Sequence, residues 1–487
     1  MKTTIALSLH PMNTQRILLI IAAALFLGIS ITGGSGCANI IPPAGGPRDS
    51  VAPILLKASP LDSTLNFQGT RITFTFDEYV ELQNVQQELL ISPTPKYPPI
   101  VDYRLNTVTI RIKDSIEANT TYTYDFGNAI KDINEGNVYK NFKYTLSTGP
   151  YLDSLEFRGN VILAETGKID TTLIVMLHSD PTDSAVVLSK PRYVTKLDNK
   201  GNFVFRNLPP RTYYVYALKD DNNTRRYFDD KNLFAFADSA VLISPSTQSV
   251  TLYAYANPAA QTASPRTAAP GQPIGRPRGG NQPDRRLRFI TSLVGEQQDL
   301  LGNFTMSFEQ PLRSFDSTKV SLRMDTTFTP VTGYSIVKDS TNKNLVMTNT
   351  WKENTVYHLI LDKDFAEDST GKKLLKSDTL TFGTKKLSDY GKLKIKFRNL
   401  DMAKNPVLQF LISGTITKSI PLAGPDLSVP LFFPGEYELR ILFDENRNGK
   451  WDPGVFFKEH KQPELTKPID RKIIIRPNWD NEFEIAL

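Results

Sequence analysis

Hydrophobic and polar residues alternate with a period of two in many short segments of this chain. In the segment 71–76, Ile72, Phe74 and Phe76 fall on one face, and the segment 107–112 repeats the pattern. Alternation of this kind, carried by β-branched and aromatic residues, is typical of half-buried antiparallel strands. The pattern predicts an all-β protein in which each unit of about 100 residues folds as one β-sandwich.

One uninterrupted apolar run departs from this alternation and lies near the N-terminus. It covers residues 17–32, follows Lys2 and Arg16, and is closed by small residues that end at Cys37. A membrane-spanning helix needs about 20 apolar residues, and this run is shorter. We therefore predict a secretory signal peptide over residues 1–36, with either Met1 or Met12 as the true start. An uncleaved N-terminal anchor is the alternative.

The residues around Cys37, the single cysteine of the chain, resemble a lipobox. This is the bacterial motif at which a signal peptidase cuts and the new N-terminal cysteine receives lipid. Ser35 and Gly36 match its small residues, whereas Gly34 stands where leucine is usual. The resemblance implies lipidation at Cys37 and a membrane partner reached through that lipid. Residues 37–52, rich in proline and glycine, are then expected to form a tether.

Residues 53–149 form the first predicted sandwich, which we call module A. Four of its segments carry a family resemblance: Ser59-Pro60-Leu61-Asp62, residues 71–80, residues 105–110 and residues 117–122. They resemble the bacterial Ig-like family named after the S-layer protein SbsA. The resemblance implies an Ig-like fold and a surface or envelope location, and it brings no catalytic residues.

The lead-in to module A, residues 37–50, is similar to the N-termini of lipoproteins of Gram-negative bacteria that carry this domain. This similarity implies a cell-envelope location, as an outer-membrane lipoprotein. Whether the protein faces the periplasm or the cell exterior is left open.

Residues 150–256, module B, have a different pattern. Gly201 to Phe205, Asn207-Leu208-Pro209-Pro210 and Tyr213 to Ala217 follow one another in the order strand, turn and strand. This order resembles the prealbumin-like, carboxypeptidase-regulatory-like β-sandwich modules of adhesin stalks and carboxypeptidase tails. The resemblance implies a second β-sandwich.

The second half of the chain repeats the first. Residues 257–286 are a low-complexity linker of Pro, Ala, Gly and Arg. Residues 287–386, module A′, repeat module A at lower fidelity, and residues 387–487, module B′, repeat module B. Internal repeats of this kind usually build rods or arrays.

A possible calcium loop follows a predicted strand of module B′. Oxygen-bearing side chains occur at Asp444, Asn446, Asn448 and Asp452, and Gly449 lies at the sixth position. This spacing is that of the EF-hand calcium loop, although Val455 stands where a bidentate acid is expected. The alternative is an Asx-rich turn without an ion. The counterpart in module B, residues 220–226, keeps the acid but has Arg225 in place of the glycine.

Composition and motifs argue against several classes of function. The formal charge of +6 is small for 487 residues and comes partly from the linker, so no nucleic-acid partner is expected. A single cysteine excludes disulfides within the chain, so each module needs its own apolar core. The four histidines are isolated in the sequence and no catalytic motif is present. We therefore predict that the protein is not an enzyme and that calcium is its one candidate cofactor.

Two functional hypotheses remain. The first is a non-catalytic, lipid-anchored envelope protein that acts as a spacer, scaffold or docking module for an envelope protein. The alternative is a carbohydrate-binding or glycan-utilisation accessory lipoprotein, with calcium bound at the 444–452 loop as an aid to glycan contact. An exposed row of aromatic residues on one sandwich face, drawn for instance from Trp351, Trp451 and Trp479, would favour the second hypothesis.

Overall fold

The computed structural model describes residues 14–15, 18–19, 21–25, 49–113, 116–257 and 286–487. The described residues before 49 are helical, and within the described ranges no helix is both long and apolar enough to cross a bilayer. Most of the predicted signal peptide, Cys37, most of the tether and nearly all of the linker lie outside the described residues. The described residues from 49 onward are built mainly from short strands, so the all-β prediction is confirmed.

Module A is a β-sandwich. Its elements are β1 (Leu55–Ser59), β2 (Arg71–Phe76), β3 (Val80–Leu82), α1 (Val85–Glu88), β4 (Leu90–Ser92), β5 (Ile100–Arg104), β6 (Thr107–Arg111), β7 (Thr121–Gly127), β8 (Ile130–Asp132) and β9 (Phe142–Ser147). One sheet has the strand order β1-β2-β6-β5, the other has the order β4-β7-β9, and β3 pairs with β8.

The core of module A forms where the alternating faces of the two sheets meet. Phe74 of β2 is fully buried and meets Phe126, Phe142 and Tyr144 of the opposite sheet edge-to-face, at ring-centroid distances of 5.8, 5.0 and 5.0 Å. Such pairs contribute about 0.5–1.5 kcal/mol each beyond their area burial. The alternation in the sequence therefore specifies which face of each strand is inside.

Module B has the same two-layer construction with a different strand order. Its elements are β10 (Leu155–Leu163), β11 (Leu173–His178), α2 (Ala185–Leu188), β12 (Tyr193–Lys196), β13 (Asn202–Leu208), β14 (Thr212–Lys219), β15 (Phe234–Phe236), β16 (Val241–Leu242) and β17 (Val250–Ala254). One sheet runs β13-β10-β17 with β10 and β17 parallel, and the other runs β12-β11-β14-β15 with β16 beside β14.

Module A′ repeats the strand order of module A. Its elements are β18 (Phe289–Thr291), β19 (Gln297–Gln298), β20 (Phe304–Phe308), β21 (Leu312–Phe315), a 3₁₀ turn (Ser317–Lys319), β22 (Val320–Met324), β23 (Thr329–Pro330), β24 (Ser335–Lys338), β25 (Asn344–Thr348), β26 (Val356–Leu361), β27 (Ala366–Asp368) and β28 (Asp378–Thr384). The order β18-β20-β25-β24 corresponds to β1-β2-β6-β5, and the pair β21-β27 corresponds to β3-β8. The other sheet, β19-β28-β26-β22-β23, contains the counterparts of β9, β7 and β4 and adds short strands at both edges.

Module B′ repeats module B in the same way. Its elements are two 3₁₀ turns (Leu387–Asp389 and Met402–Lys404), β29 (Gly391–Arg398), β30 (Pro406–Ile412), β31 (Thr415–Pro421), β32 (Asp426–Phe432), β33 (Gly435–Phe443), β34 (Leu465–Ile475) and β35 (Asp480–Ala486). Its sheets run β32-β29-β35, with β29 and β35 parallel, and β31-β30-β33-β34. The chain is thus a duplicated pair of sandwiches by topology as well as by sequence.

Each module has its own apolar core, and a further buried cluster joins modules B and B′. Most of this cluster comes from module B, including Tyr216, Phe234 and Phe236, but Phe456 comes from module B′. In a simple linear array each module would touch only its neighbours along the chain. Here the two B-type modules touch each other although module A′ lies between them in sequence.

Candidate functional site

The connection between β33 and β34, residues 444–464, holds the predicted calcium ligands. It begins directly where β33 ends, so Asp444 is held by the sheet and its side chain is only 2% exposed. Its carboxylate accepts hydrogen bonds from the backbone N–H groups of Asn448, at 3.1 Å, and Gly449, at 2.7 Å. Gly449 has a φ of +76°, a left-handed conformation that glycine adopts without cost. The carboxylate therefore closes a tight Asx-type turn.

The structure brings the other three predicted ligands into the same turn. The side-chain oxygens of Asn446 and Asn448 accept the N–H groups of Asn448 and Lys450, at 3.0 and 2.7 Å. Both side-chain amides donate to the Oδ2 atom of Asp452. All four predicted residues thus lie together, linked by hydrogen bonds among themselves and to the backbone.

Glu464 belongs to this site and was missed by the sequence analysis. It lies just before β34, is 3% exposed, and accepts the N–H groups of Glu445 and Asp452 at 2.9 and 3.0 Å. Burial raises the pKa of its carboxyl group, and the negative charges of Asp452 and Asp444 add to that rise. An acid placed directly before the next strand was the available signal. The spacing rule pointed instead to Val455, which is partly exposed.

The oxygen-bearing side chains of this loop only partly match what a hard cation such as calcium needs. Carboxylate and amide oxygens are the ligands that calcium prefers, and two buried acids beside Asp452 concentrate negative charge. However, both oxygens of Asp444 already accept backbone N–H groups, and Asn446 and Asn448 present nitrogen to Asp452. Within the described ranges, no group of three or more His, Cys, Asp or Glu side chains is arranged to hold a metal ion. Calcium binding by this loop therefore stays a prediction.

The loop of module B has the same turn without a glycine. The carboxylate of Asp220 accepts the N–H groups of Thr224 and Arg225, at 2.9 and 2.8 Å. Arg225 occupies the position equivalent to Gly449 and has a φ of +55°. A left-handed conformation costs a non-glycine residue about 1–2 kcal/mol. The two loops share a backbone motif, and neither motif requires an ion to close.

The far end of the 444–464 loop docks on module B. Phe456 is 5% exposed, and its ring meets Tyr216, Phe234 and Phe236 at centroid distances of 5.6, 5.2 and 5.1 Å. A methyl group on Gly454 would lie 2.7 Å from the ring of Tyr255, so only glycine allows this approach. An aromatic side chain of module B′ thus fills a pocket in module B.

Hydrogen bonds surround this aromatic contact. The backbone N–H and the Oγ1 hydroxyl of Thr466 both donate to the carbonyl oxygen of Ala164, at 3.0 and 3.1 Å. His460 lies 2.8 Å from Asp183, and the Gln462 amide donates to Asp238 at 2.7 Å. These hydrogen bonds lie around the aromatic contact, and an apolar centre with a polar rim is the usual arrangement of a protein interface.

The tryptophans do not form a sugar-binding row. Trp351 is buried in the core of module A′, and Trp451 is half-buried with its indole N–H donated to the carbonyl oxygen of Glu464. Trp479 is exposed and lies under the guanidinium of Arg476. Two of the three tryptophans therefore pack inside the fold. The three do not form the exposed aromatic row that would favour glycan binding.

Each described histidine has its own packing or hydrogen-bond partners. His178 is buried beside Tyr216, and this burial lowers its pKa to about 4. His358 lies 3.0 Å from the Thr381 hydroxyl and stacks on Phe328. His460 is part of the contact with module B described above. Each has a local packing role in this fold.

Comparison with known proteins supports the assignment of module A. A family model described as a bacterial Ig-like domain matches residues 49–148, which is module A alone. No curated protein matches the chain. The narrower SbsA-type assignment, and the prealbumin-like resemblance of modules B and B′, stay predictions.

Solved structures with weaker similarity include an alpha-2-macroglobulin fragment, a pilin and an S-layer protein. The native alpha-2-macroglobulin of Escherichia coli, domains MG0-NIE-MG1, is 13% identical with a TM-score of 0.20, covering 38% of this chain and 71% of that one. BcpA, the major pilin subunit of Bacillus cereus, is 8% identical with a TM-score of 0.16, covering 68% and 98%. The S-layer protein rSbsC is 10% identical with a TM-score of 0.15, covering 85% and 67%. At these TM-scores the similarities support no conclusion about this chain.

Proposed function

We propose that this protein is a non-catalytic, lipid-anchored protein of the bacterial cell envelope whose β-sandwich modules form a scaffold. The observation that carries this proposal is the buried contact between modules B and B′, centred on Phe456. A catalytic protein needs converging reactive groups, whereas a scaffold needs modules whose relative positions are fixed. The described residues supply the second property.

Contacts between sequence neighbours support the same proposal. Modules A and B are joined by Arg192, whose guanidinium donates to both carboxylate oxygens of Glu117 at 2.8 and 2.6 Å. This pairing lowers the pKa of Glu117. A bidentate pair of this kind fixes orientation as well as distance. It restrains module A against module B, because Glu117 also donates its N–H to core residue Tyr122 of module A and Arg192 directly precedes core residue Tyr193 of module B.

Modules A′ and B′ are joined in a comparable way. The hydroxyl of Tyr390, a buried residue of module B′, donates to Asp299 of module A′ at 2.8 Å and accepts the N–H of Leu300 at 2.8 Å. Within module A′, Lys385 pairs with the same Asp299 at 2.9 Å. The A–B, A′–B′ and B–B′ contacts are thus each made by specific polar or aromatic groups, as expected of a scaffold that presents a binding surface to a partner.

The lipid anchor rests on Cys37 and on the apolar run before it. Lipidation would hold the modules at a membrane surface, and several acyl chains at about 0.8 kcal/mol per buried methylene make such attachment stable. The test is metabolic labelling with a palmitate analogue in a bacterial host, followed by cell fractionation. We expect the wild-type protein to be labelled and to sediment with the outer membrane.

The matched control is Cys37→Ala, which removes the thiol and leaves the apolar run intact. We expect this variant to be unlabelled and uncleaved. An unlabelled wild-type protein that is released from membranes would contradict the anchor. A pull-down from solubilised envelope, with wild type and with a variant lacking the B–B′ contact, would then identify any partner that needs the assembled scaffold.

A further inference from the structure

A cleft of about 490 Å³ lies between module A and module B. This volume falls in the range of about 300–1,000 Å³ that small-molecule sites occupy. Most of its wall belongs to module A and is aliphatic or proline, including Leu89, Ile91, Pro95, Pro98 and Pro99. No aromatic side chain of the described residues lines it, so the wall favours an aliphatic group over a stacked sugar or base.

Contacts between the two modules fix the shape of the cleft. The Asn223 side-chain amide of module B donates to the carbonyl oxygen of Gln86 at 3.0 Å. The backbone N–H of Thr94 donates to the carbonyl oxygen of Arg192 at 2.7 Å. Because residues on both sides of the cleft are tied to the opposite module, the cavity is pre-formed and little ordering is required on binding.

The charged side chains that line the cleft are Lys190 and Arg225, and both are cations. In the part of the chain that the structure describes, neither makes an ion pair or a side-chain hydrogen bond. Asp220 is close to Arg225, but its carboxylate is already taken by the backbone N–H groups of Thr224 and Arg225. A partly buried guanidinium without a carboxylate partner is costly, and an anionic ligand would offset that cost.

A second polar group at the same wall also lacks a partner. The Oγ1 hydroxyl of Thr94 is buried and, among the described residues, makes no hydrogen bond. A buried hydroxyl without a partner is uncommon in folded proteins. A ligand head group in the cleft could accept this hydrogen bond.

We propose that the cleft between modules A and B binds an amphiphilic anion, with a carboxylate or phosphate head at Lys190 and Arg225 and an aliphatic body against the proline wall. The inference is independent of the lipid on Cys37, since it depends only on residues of modules A and B. It adds ligand binding to the scaffold role proposed above.

The test is photolabelling of the intact protein, kept in a non-ionic detergent, with a diazirine analogue of decanoic acid. Mass spectrometry of peptides locates the label, and decanoate, decyl phosphate and decyltrimethylammonium are added as competitors. We expect saturable labelling of peptides that contain residues 85–101 or 220–226. Either anion should compete, the stronger one identifying the head group, and the cation should not.

Variants separate the head-group contact from a general loss of charge. Charge-assisted hydrogen bonds contribute about 1.5–3 kcal/mol, so Arg225→Gln should weaken labelling at least about tenfold. Arg104→Gln removes an exposed arginine of β5 that does not line the cleft, and it should label like wild type. If Arg225→Gln does not fold, Lys190→Gln, at an exposed position, gives the same comparison.

Three results would overturn the proposal. These are labelling outside the two peptide regions, equal competition by decyltrimethylammonium, and equal labelling of the Arg225→Gln and Arg104→Gln variants. The thermal unfolding midpoint of each variant shows whether a loss of labelling reflects the site or the fold.

Discussion

Removing the ring of Phe456 should weaken the contact between modules B and B′ without unfolding either module. Phe456 is 5% exposed because Tyr216, Phe234 and Phe236 of module B surround it. It belongs to a loop rather than to the core of module B′, whose apolar residues form a separate cluster. The change Phe456→Ala therefore acts on the contact between modules.

The size of the effect follows from the burial of the ring. Replacing a buried phenylalanine by alanine costs about 3–5 kcal/mol in protein cores. The hydrogen bonds that remain, such as that from Thr466 to Ala164, contribute about 0.5–1.5 kcal/mol each. A loss of about 3 kcal/mol corresponds to roughly a 100-fold increase in the population of the separated state.

Hydrogen exchange measured by mass spectrometry reports this opening directly. The N–H of Thr466 is the most useful reporter because it donates to Ala164 of the other module. We expect its protection to fall by about 100-fold in Phe456→Ala. Phe457→Ala is the matched control, since the neighbouring ring is 42% exposed and should matter much less. Equal protection in the two variants would refute the assignment of Phe456 as the residue that holds the modules together.

Three other predictions concern the 444–464 loop of module B′ and the buried His178 of module B. Calcium should raise the thermal midpoint of wild type and not of Asp444→Ala; no shift in wild type, or an equal shift in both, removes the calcium prediction. Gly449→Ala should destabilise module B′ by about 1–2 kcal/mol in urea, because φ is +76° while space is open around the position; wild-type stability would contradict this. The buried His178, with a pKa of about 4 against about 6.5 when unfolded, takes up a proton more readily in the unfolded chain. Stability should therefore fall by about 2 kcal/mol from pH 7 to pH 5, and His178→Phe should lose that part of the pH dependence in urea unfolding; an unchanged dependence would exclude His178 as its source.

The strands could be predicted from the sequence because their cause is local. Ile72, Phe74 and Phe76 alternate with polar residues, and β2 spans Arg71–Phe76 with these three side chains buried. A period of two places every second side chain on the same face, so no knowledge of the partner strand is needed. The all-β class follows from several such segments.

The contact between modules B and B′ could not be predicted in this way. Phe456 and Phe457 are adjacent, equally apolar and outside any strand, yet one is buried and the other exposed. The difference is made by a pocket on residues 216–236, which are more than 200 positions away in the sequence. Local pattern carries no information about a partner at that separation.

The calcium loop illustrates a different limit. An Asx-rich turn and a calcium loop both favour acids and amides at alternate positions, and a glycine at the sixth position suits the left-handed backbone of both. The same residues, Asp444 to Asp452, therefore satisfy both descriptions, and only the orientation of their side chains separates them. Glu464 was missed because the spacing rule assumes that all ligands lie within one short loop, whereas here β34 brings the additional acid.

The contact between the two B-type modules can be maintained by a small interface because closing a long chain is not much costlier than closing a short one. The hydrogen bond from Thr466 to Ala164 spans 302 residues. The entropy of loop closure grows only with the logarithm of length, by about 0.6 kcal/mol for each doubling. Modules A′ and B′ are themselves folded, which reduces further the number of conformations that closure removes. One buried ring worth about 3–5 kcal/mol, with a rim of hydrogen bonds, is therefore of the right size to hold the duplicated pair together.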